Sequence, residues 1–227
     1  MKKEPSVSCD EGILPDKPYS LGEEIANSIT HGIGVLLSIS ALVLLIIRAV
    51  YRAPDGLTAP YVVGFAIFGS SLIILYLMST LYHAITHRGA KFVFCILDHS
   101  AIYILIAGTY TAFCFSVLYG AVGWYIFGII WFLAVAGILL FTFYGNRAKW
   151  LSLGLYLLMG WLITVIGNLM YLSLPPISWN FLVYGGIAYT LGCIFFLMKD
   201  VPWMHAVWHL FVLSGSCLHF FSLYFAV

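Results

Sequence analysis

The chain has 227 residues, 63% of them hydrophobic and only 8% charged, with a net charge of +1 and a mean hydropathy of +1.02. A soluble domain carries charge on about a quarter of its residues, so this composition excludes a cytosolic globular enzyme, a disordered chain and a secreted disulfide scaffold, and leaves an integral membrane protein. The near-neutral balance and the lack of a basic stripe argue against a nucleic-acid partner.

Residues 1–29 are polar and mixed in sign. No apolar segment there precedes a small-residue cleavage site, so no cleavable signal is expected and the first apolar run should remain as a signal-anchor. Residues 1–18 read as a tail, and 19–29 as a short amphipathic lead-in at the membrane interface. Residues 30–227 read as an all-α, seven-transmembrane helix bundle. A spanning helix needs about 20 apolar residues, and seven such runs occur, at 30–50, 59–83, 93–117, 121–143, 150–172, 180–198 and 203–225. Polar or helix-breaking groups separate them: Arg52 to Gly56, His87 to Lys91, Gly120, Gly145 to Lys149, Pro175-Pro176, and Lys199 to Pro202, with Pro202 placed as a first-turn proline. Gly108, Ala112 and Ser116 form a small-residue row for helix packing on the third span. The five cysteines, irregularly spaced and mostly in apolar runs, read as small buried hydrophobes.

Basic residues set the expected orientation. Lys2, Lys3, Lys17, Arg88, Lys91, Arg147, Lys149 and Lys199 fall on the N-terminal side of the bundle, and only Arg48 and Arg52 on the other. The N-terminus is therefore expected in the cytoplasm and the C-terminus outside. Trp124, Trp150, Trp179 and Trp203 lie near span edges, as interfacial anchors do.

Polar residues inside the spans point to function, because ionisable groups are costly in hydrocarbon. In this topology His83, Asp98, His205 and His209, from three spans, fall at one depth near the cytoplasmic edge. His205 and His209 are i, i+4 and share a helix face, the spacing that puts two imidazoles on one metal in H-x-x-x-H sites, here without the zincin glutamate. Ser79 and His83 have the same spacing. A third imidazole from another helix would complete a three-histidine site with one position open to water, the catalytic type of zinc coordination. Asp98 would orient or deprotonate that water, or hold a ligating histidine. His219 stands about 15 Å further along its helix, and His87 lies in a loop. His99 is turned about 100° from Asp98. His31 shares a face with Glu24 and Ser28, within reach of a supporting role. Each residue also has an ordinary reading, as a helix-packing hydrogen-bonder or a back-bonded hydroxyl; the coincidence of depth is what favours a metal.

Four stretches carry a resemblance: Glu23–Gly34, Ser79–His83, Leu97–Thr111 and His205–Phe220. Together they resemble the bacterial hemolysin III family, within the progestin and adiponectin receptor superfamily of seven-helix membrane proteins. The resemblance implies a cytoplasmic N-terminus and a zinc site on the cytoplasmic side, with His83, His205 and His209 as ligands. Asp98 would hold the zinc-bound water and Ser79 would stand near the reacting centre. It also implies links to ceramide hydrolysis in eukaryotic relatives, and to membrane-fluidity homeostasis and cytolysis in bacterial ones.

The leading expectation is a Zn2+-dependent intramembrane hydrolase of a membrane-lipid amide or ester, in which Asp98 acts as general base and Ser79 donates to the developing oxyanion. The alternative is a non-catalytic sensor of membrane fluidity in which zinc ties spans together. A proton pathway through Asp98, His99 and His31 needs polar residues through the full depth, and the outer half of the spans offers little besides Asn168 and His219. A secreted cytolysin would need a soluble form that seven long apolar spans forbid.

Overall fold

The computed structural model describes residue 14, residues 19–198 and residues 200–227; of the side chain at position 146 nothing is described. Lys2, Lys3, Lys17 and Lys199 of the charge count lie outside the described residues. Seven helices are long and apolar enough to cross a membrane, and no strand occurs among the described residues. They are α1 (Leu21–Arg52), α2 (Thr58–Ala84), α3 (Arg88–Phe115), α4 (Ala121–Tyr144), α5 (Lys149–Ser173), α6 (Pro176–Leu197) and α7 (Met204–Phe225). Each helix touches the next, α7 returns to α1 to close the ring, and α3 reaches α7 across the interior.

α1 begins well before the expected start at 30. Ser20 and Glu23 form a capping box that satisfies the first free N–H groups, so residues 21–29 are the first turns of the spanning helix rather than a separate lead-in. Its buried stripe, Asn27, His31, Gly34, Ser38, Ala41, Leu45 and Ala49, follows the helical period. Leu36, Ile39, Val43, Ile47 and Val50 cover the outer face. α2 and α3 carry the largest buried side chains, among them Phe65, Phe68, Tyr76 and Tyr103. Their close approach depends on Gly108, where an added Cβ would sit 2.4 Å from Ser71 Oγ.

Two boundaries depart from expectation for local reasons. α6 starts at Pro176, ahead of 180, because a proline at the first helical position has no N–H to leave unsatisfied. Pro202 does not begin α7. Trp203 adopts the left-handed region with φ 67°, which separates it from the helix starting at Met204. α5 tightens into a 3-10 stretch at Leu162–Ile166 that the hydropathy pattern does not reveal. Tyr110 is the cause: its hydroxyl accepts from Ile163 N at 2.7 Å and donates to the Gly160 carbonyl at 3.3 Å, inserting into the backbone ladder. Trp124, Trp150 and Trp203 are exposed near helix ends, whereas Trp179 is partly buried edge-on against Tyr171. Cys114, Cys193 and Cys217 form no disulfide.

The helix ends fall into two sets. Glu23 of α1 accepts from Trp203 N just before α7, and Glu24 accepts from Lys91 of α3, so these starts share one end of the bundle. At the opposite end Arg48 donates to the Tyr224 and Val227 carbonyls. This alternation matches the grouping of basic residues.

Candidate metal centre

His83 occupies the last turn of α2, and His205 and His209 the first two turns of α7, at the end of the bundle that holds the start of α1. The fold thus brings together residues more than 120 positions apart. The ring centroids are 5.1 Å (His83–His205), 5.2 Å (His83–His209) and 4.6 Å (His205–His209) apart. One ligand nitrogen from each lies within 4.8 Å of the others. His83 and His209 are buried and His205 partly so.

Hydrogen bonding orients these rings for ligation. His83 Nδ1 lies 2.6 Å from Glu24 Oε2. A carboxylate only accepts, so Nδ1 carries a proton, and in the neutral imidazole Nε2 then keeps its lone pair. That Nε2 is buried and has no hydrogen-bond partner. His209 Nδ1 lies 3.2 Å from the Asn27 carbonyl and 3.2 Å from Thr30 Oγ1. The carbonyl likewise fixes the proton on Nδ1 and leaves Nε2 to ligate. Tyr19 stacks on the His205 ring at 5.0 Å. Two imidazoles with their second nitrogens held by α1, and a third beside them, suit a divalent metal, and three nitrogen donors suit zinc.

A cavity of ≈ 30 Å³ adjoins the cluster, lined by His31, Leu75, Ser79, Asp98, His99, Ile102, Phe196, His205, Trp208, His209 and Val212. A water needs roughly 10–15 Å³. Both residues expected at the reacting centre therefore share a wall with two of the three histidines. Ser79 is 1% exposed, and its Oγ faces the Asp98 carboxyl, the side-chain hydrogen-bond partner within its reach.

The remaining histidines separate by environment. His99 also lines the cavity, but its Nδ1 lies 2.9 Å from the Cys95 carbonyl and its ring stacks on Phe141. His219 sits apart, 3.3 Å from the Leu182 carbonyl, and His87 is exposed as the N-cap of α3. His31 lies flat on His209. On α1 the residue that faces the site beside Glu24 and His31 is Asn27; Ser28 instead donates to the Thr80 carbonyl of α2. Tyr19, Asn27, Thr30 and Lys91 join the site in the structure without a sequence motif that marks them as its members. For Asn27 the signal in the sequence is the polar stripe at 24, 27 and 31, one face of the first turns of α1.

The family model described as Haemolysin-III related matches residues 19–220, which include every residue of this centre. The chain belongs to the haemolysin-III related family. This family member is 50% identical over 205 residues to the Hemolysin-3 of Bacillus cereus, covering 90% of this chain and 92% of that one. It is 49% identical over 207 residues to a Hemolysin-3 homolog of Bacillus subtilis (strain 168), covering 91% and 95%. A more distant relative is the human Monocyte to macrophage differentiation factor, 28% identical over 168 residues, or 70% of this chain and 68% of that protein. The wider resemblance, to the progestin and adiponectin receptor superfamily, runs through this last relative. Membership and the seven apolar helices make the chain a multi-pass membrane protein of the haemolysin-III related family.

Proposed function

We propose that this haemolysin-III related protein is a zinc-dependent intramembrane hydrolase of a lipid amide or ester, with its centre at the cytoplasmic side of the membrane and a role in lipid or fluidity homeostasis. The observation that carries the reading is the three-histidine cluster beside a water-sized cavity that Asp98 and the buried Ser79 hydroxyl also line. His83, His205 and His209 would hold the zinc. When bound, zinc supplies Lewis acidity that lowers the pKa of the attacking water to about 7. Asp98 takes the proton of that water as its oxygen adds to the carbonyl carbon. Ser79 donates to the carbonyl oxygen as it gains charge. The C–N or C–O bond then breaks, and Asp98 returns the proton to the departing amine or alkoxide.

One observation favours a second reading. At ≈ 30 Å³ the cavity admits a water but not a lipid headgroup, so catalysis requires the helices beside it to part. A zinc that ties α2 to α7 in a fluidity-responsive regulator needs no such motion. Turnover of a broad lipid amide and ester panel by zinc-loaded protein, beside Asp98→Asn, separates the two. The hydrolase reading expects turnover by the parent and its loss in Asp98→Asn with zinc retained. Zinc with no turnover of any lipid supports the regulator, and turnover unchanged in Asp98→Asn contradicts the role given to Asp98.

A further inference from the structure

We propose that Glu24 is a positioning residue of the metal centre: its carboxylate holds the His83 ring with Nε2 toward the metal, and Lys91 clamps that carboxylate in place. The proposal rests on the metal reading above, but not on any catalytic activity.

The two oxygens of Glu24 serve two different helices. Oε2 lies 2.6 Å from His83 Nδ1 on α2, and Oε1 lies 2.7 Å from Lys91 Nζ on α3. Lys91 is itself fixed. Its ammonium donates to the Tyr82 carbonyl at 3.1 Å and lies 4.9 Å above the Tyr82 ring, the residue next to His83. A lysine–glutamate pair alone would add little to stability. The arrangement makes sense as a histidine clamp: one oxygen takes the imidazole N–H, the ammonium balances the charge on the other, and the carboxylate cannot swing away. A ligating histidine typically gives its second ring N–H to such a carboxylate, which fixes the tautomer and the ring plane and raises the basicity of the ligating nitrogen. The partnerless, buried His83 Nε2 is the complementary observation, since it faces away from Glu24 with nothing to bond.

The neighbouring Glu23 does a different job. Its Oε1 accepts from the backbone N–H of Trp203 at 2.8 Å, two residues before His205, and helps hold the left-handed turn there. Consecutive carboxylates at the start of α1 thus reach the approaches of both ligand-bearing helices, and Glu24 is the one that bonds the His83 imidazole.

The test is zinc affinity of the full-length protein in detergent, measured by competition with a chromogenic chelator, for the parent, Glu24→Ala, Glu24→Gln and Lys91→Met. Glu24→Ala should bind zinc about 10- to 100-fold more weakly. Glu24→Gln should recover part of that loss, because its amide oxygen still accepts from Nδ1–H, and Lys91→Met should fall between parent and Glu24→Ala. The visible spectrum of the cobalt(II)-loaded protein should shift in Glu24→Ala, while the melting temperature of its zinc-free form stays with that of the zinc-free parent. Parental zinc affinity in a folded Glu24→Ala overturns the proposal and leaves the metal site standing. If Glu24→Ala does not fold, parental affinity in both Glu24→Gln and Lys91→Met overturns it equally. A parent that binds no zinc removes the metal reading and this proposal together.

Discussion

The imidazole of His31 lies flat against that of His209, with ring centroids 3.6 Å apart and planes within 10°. His31 is 3% exposed, and its ring nitrogens meet no side-chain hydrogen-bond partner, only the backbone of His209. A buried polar group without partners costs roughly 1–3 kcal/mol, and replacing it with an apolar group of similar shape is often neutral or stabilising. His31→Phe keeps a ring to stack on His209 and removes the poorly satisfied nitrogens. It should therefore melt at or above the parent temperature with zinc content unchanged. A fall equivalent to more than about 2 kcal/mol, in the range of a core truncation, would show that the nitrogens have partners this account does not include.

Tyr110 carries the irregular geometry of α5. Its hydroxyl caps Ile163 N and the Gly160 carbonyl, two backbone groups that no water can reach in the membrane interior. Tyr110→Phe should cost ~1–3 kcal/mol by leaving the amide unpaired, and amide exchange at Ile163 should accelerate. Exchange at Ile163 that is indifferent to the substitution contradicts this explanation of the 3-10 stretch.

Gly137 on α4 lies against the ring of Tyr103, where an added Cβ would come within 2.2 Å of the ring edge. Tyr103 is fully buried and cannot swing aside freely. Gly137→Ala should destabilise by ~1–3 kcal/mol through overpacking. Gly128, on the same helix with nothing within 4 Å of its Cβ position, is the control: Gly128→Ala should stabilise by about 0.5–1 kcal/mol through helix propensity. Equal melting temperatures for the two variants would show that α3 and α4 are not held at this distance.

Hydropathy made the seven helices legible, since each had to supply about 20 apolar residues and little chain was left over. Helical spacing made His205 and His209 a pair, and the alternation of span direction put His83 and Asp98 at their depth. What the sequence concealed is contact between elements. Glu24 looks like the first acidic turn of an amphipathic segment until α2 and α3 deliver His83 and Lys91 to its two oxygens. Ser28 and Asn27 are adjacent on α1, and only the packing of α1 between α2 and α7 decides which of them faces the site. Tyr110 is an ordinary aromatic in its own span; the helix it distorts is some 50 residues away. Trp203 has the position of an interfacial anchor in the sequence, and its left-handed backbone goes with a hydrogen bond to Glu23 that no local pattern announces.

Whether His83, His205 and His209 hold zinc is decided by elemental analysis of the purified full-length protein beside a His205→Ala/His209→Ala double variant. About one zinc per chain is expected in the parent and none in the folded variant. A folded parent, purified without chelators, that contains no metal and takes up none from added zinc would contradict the zinc site.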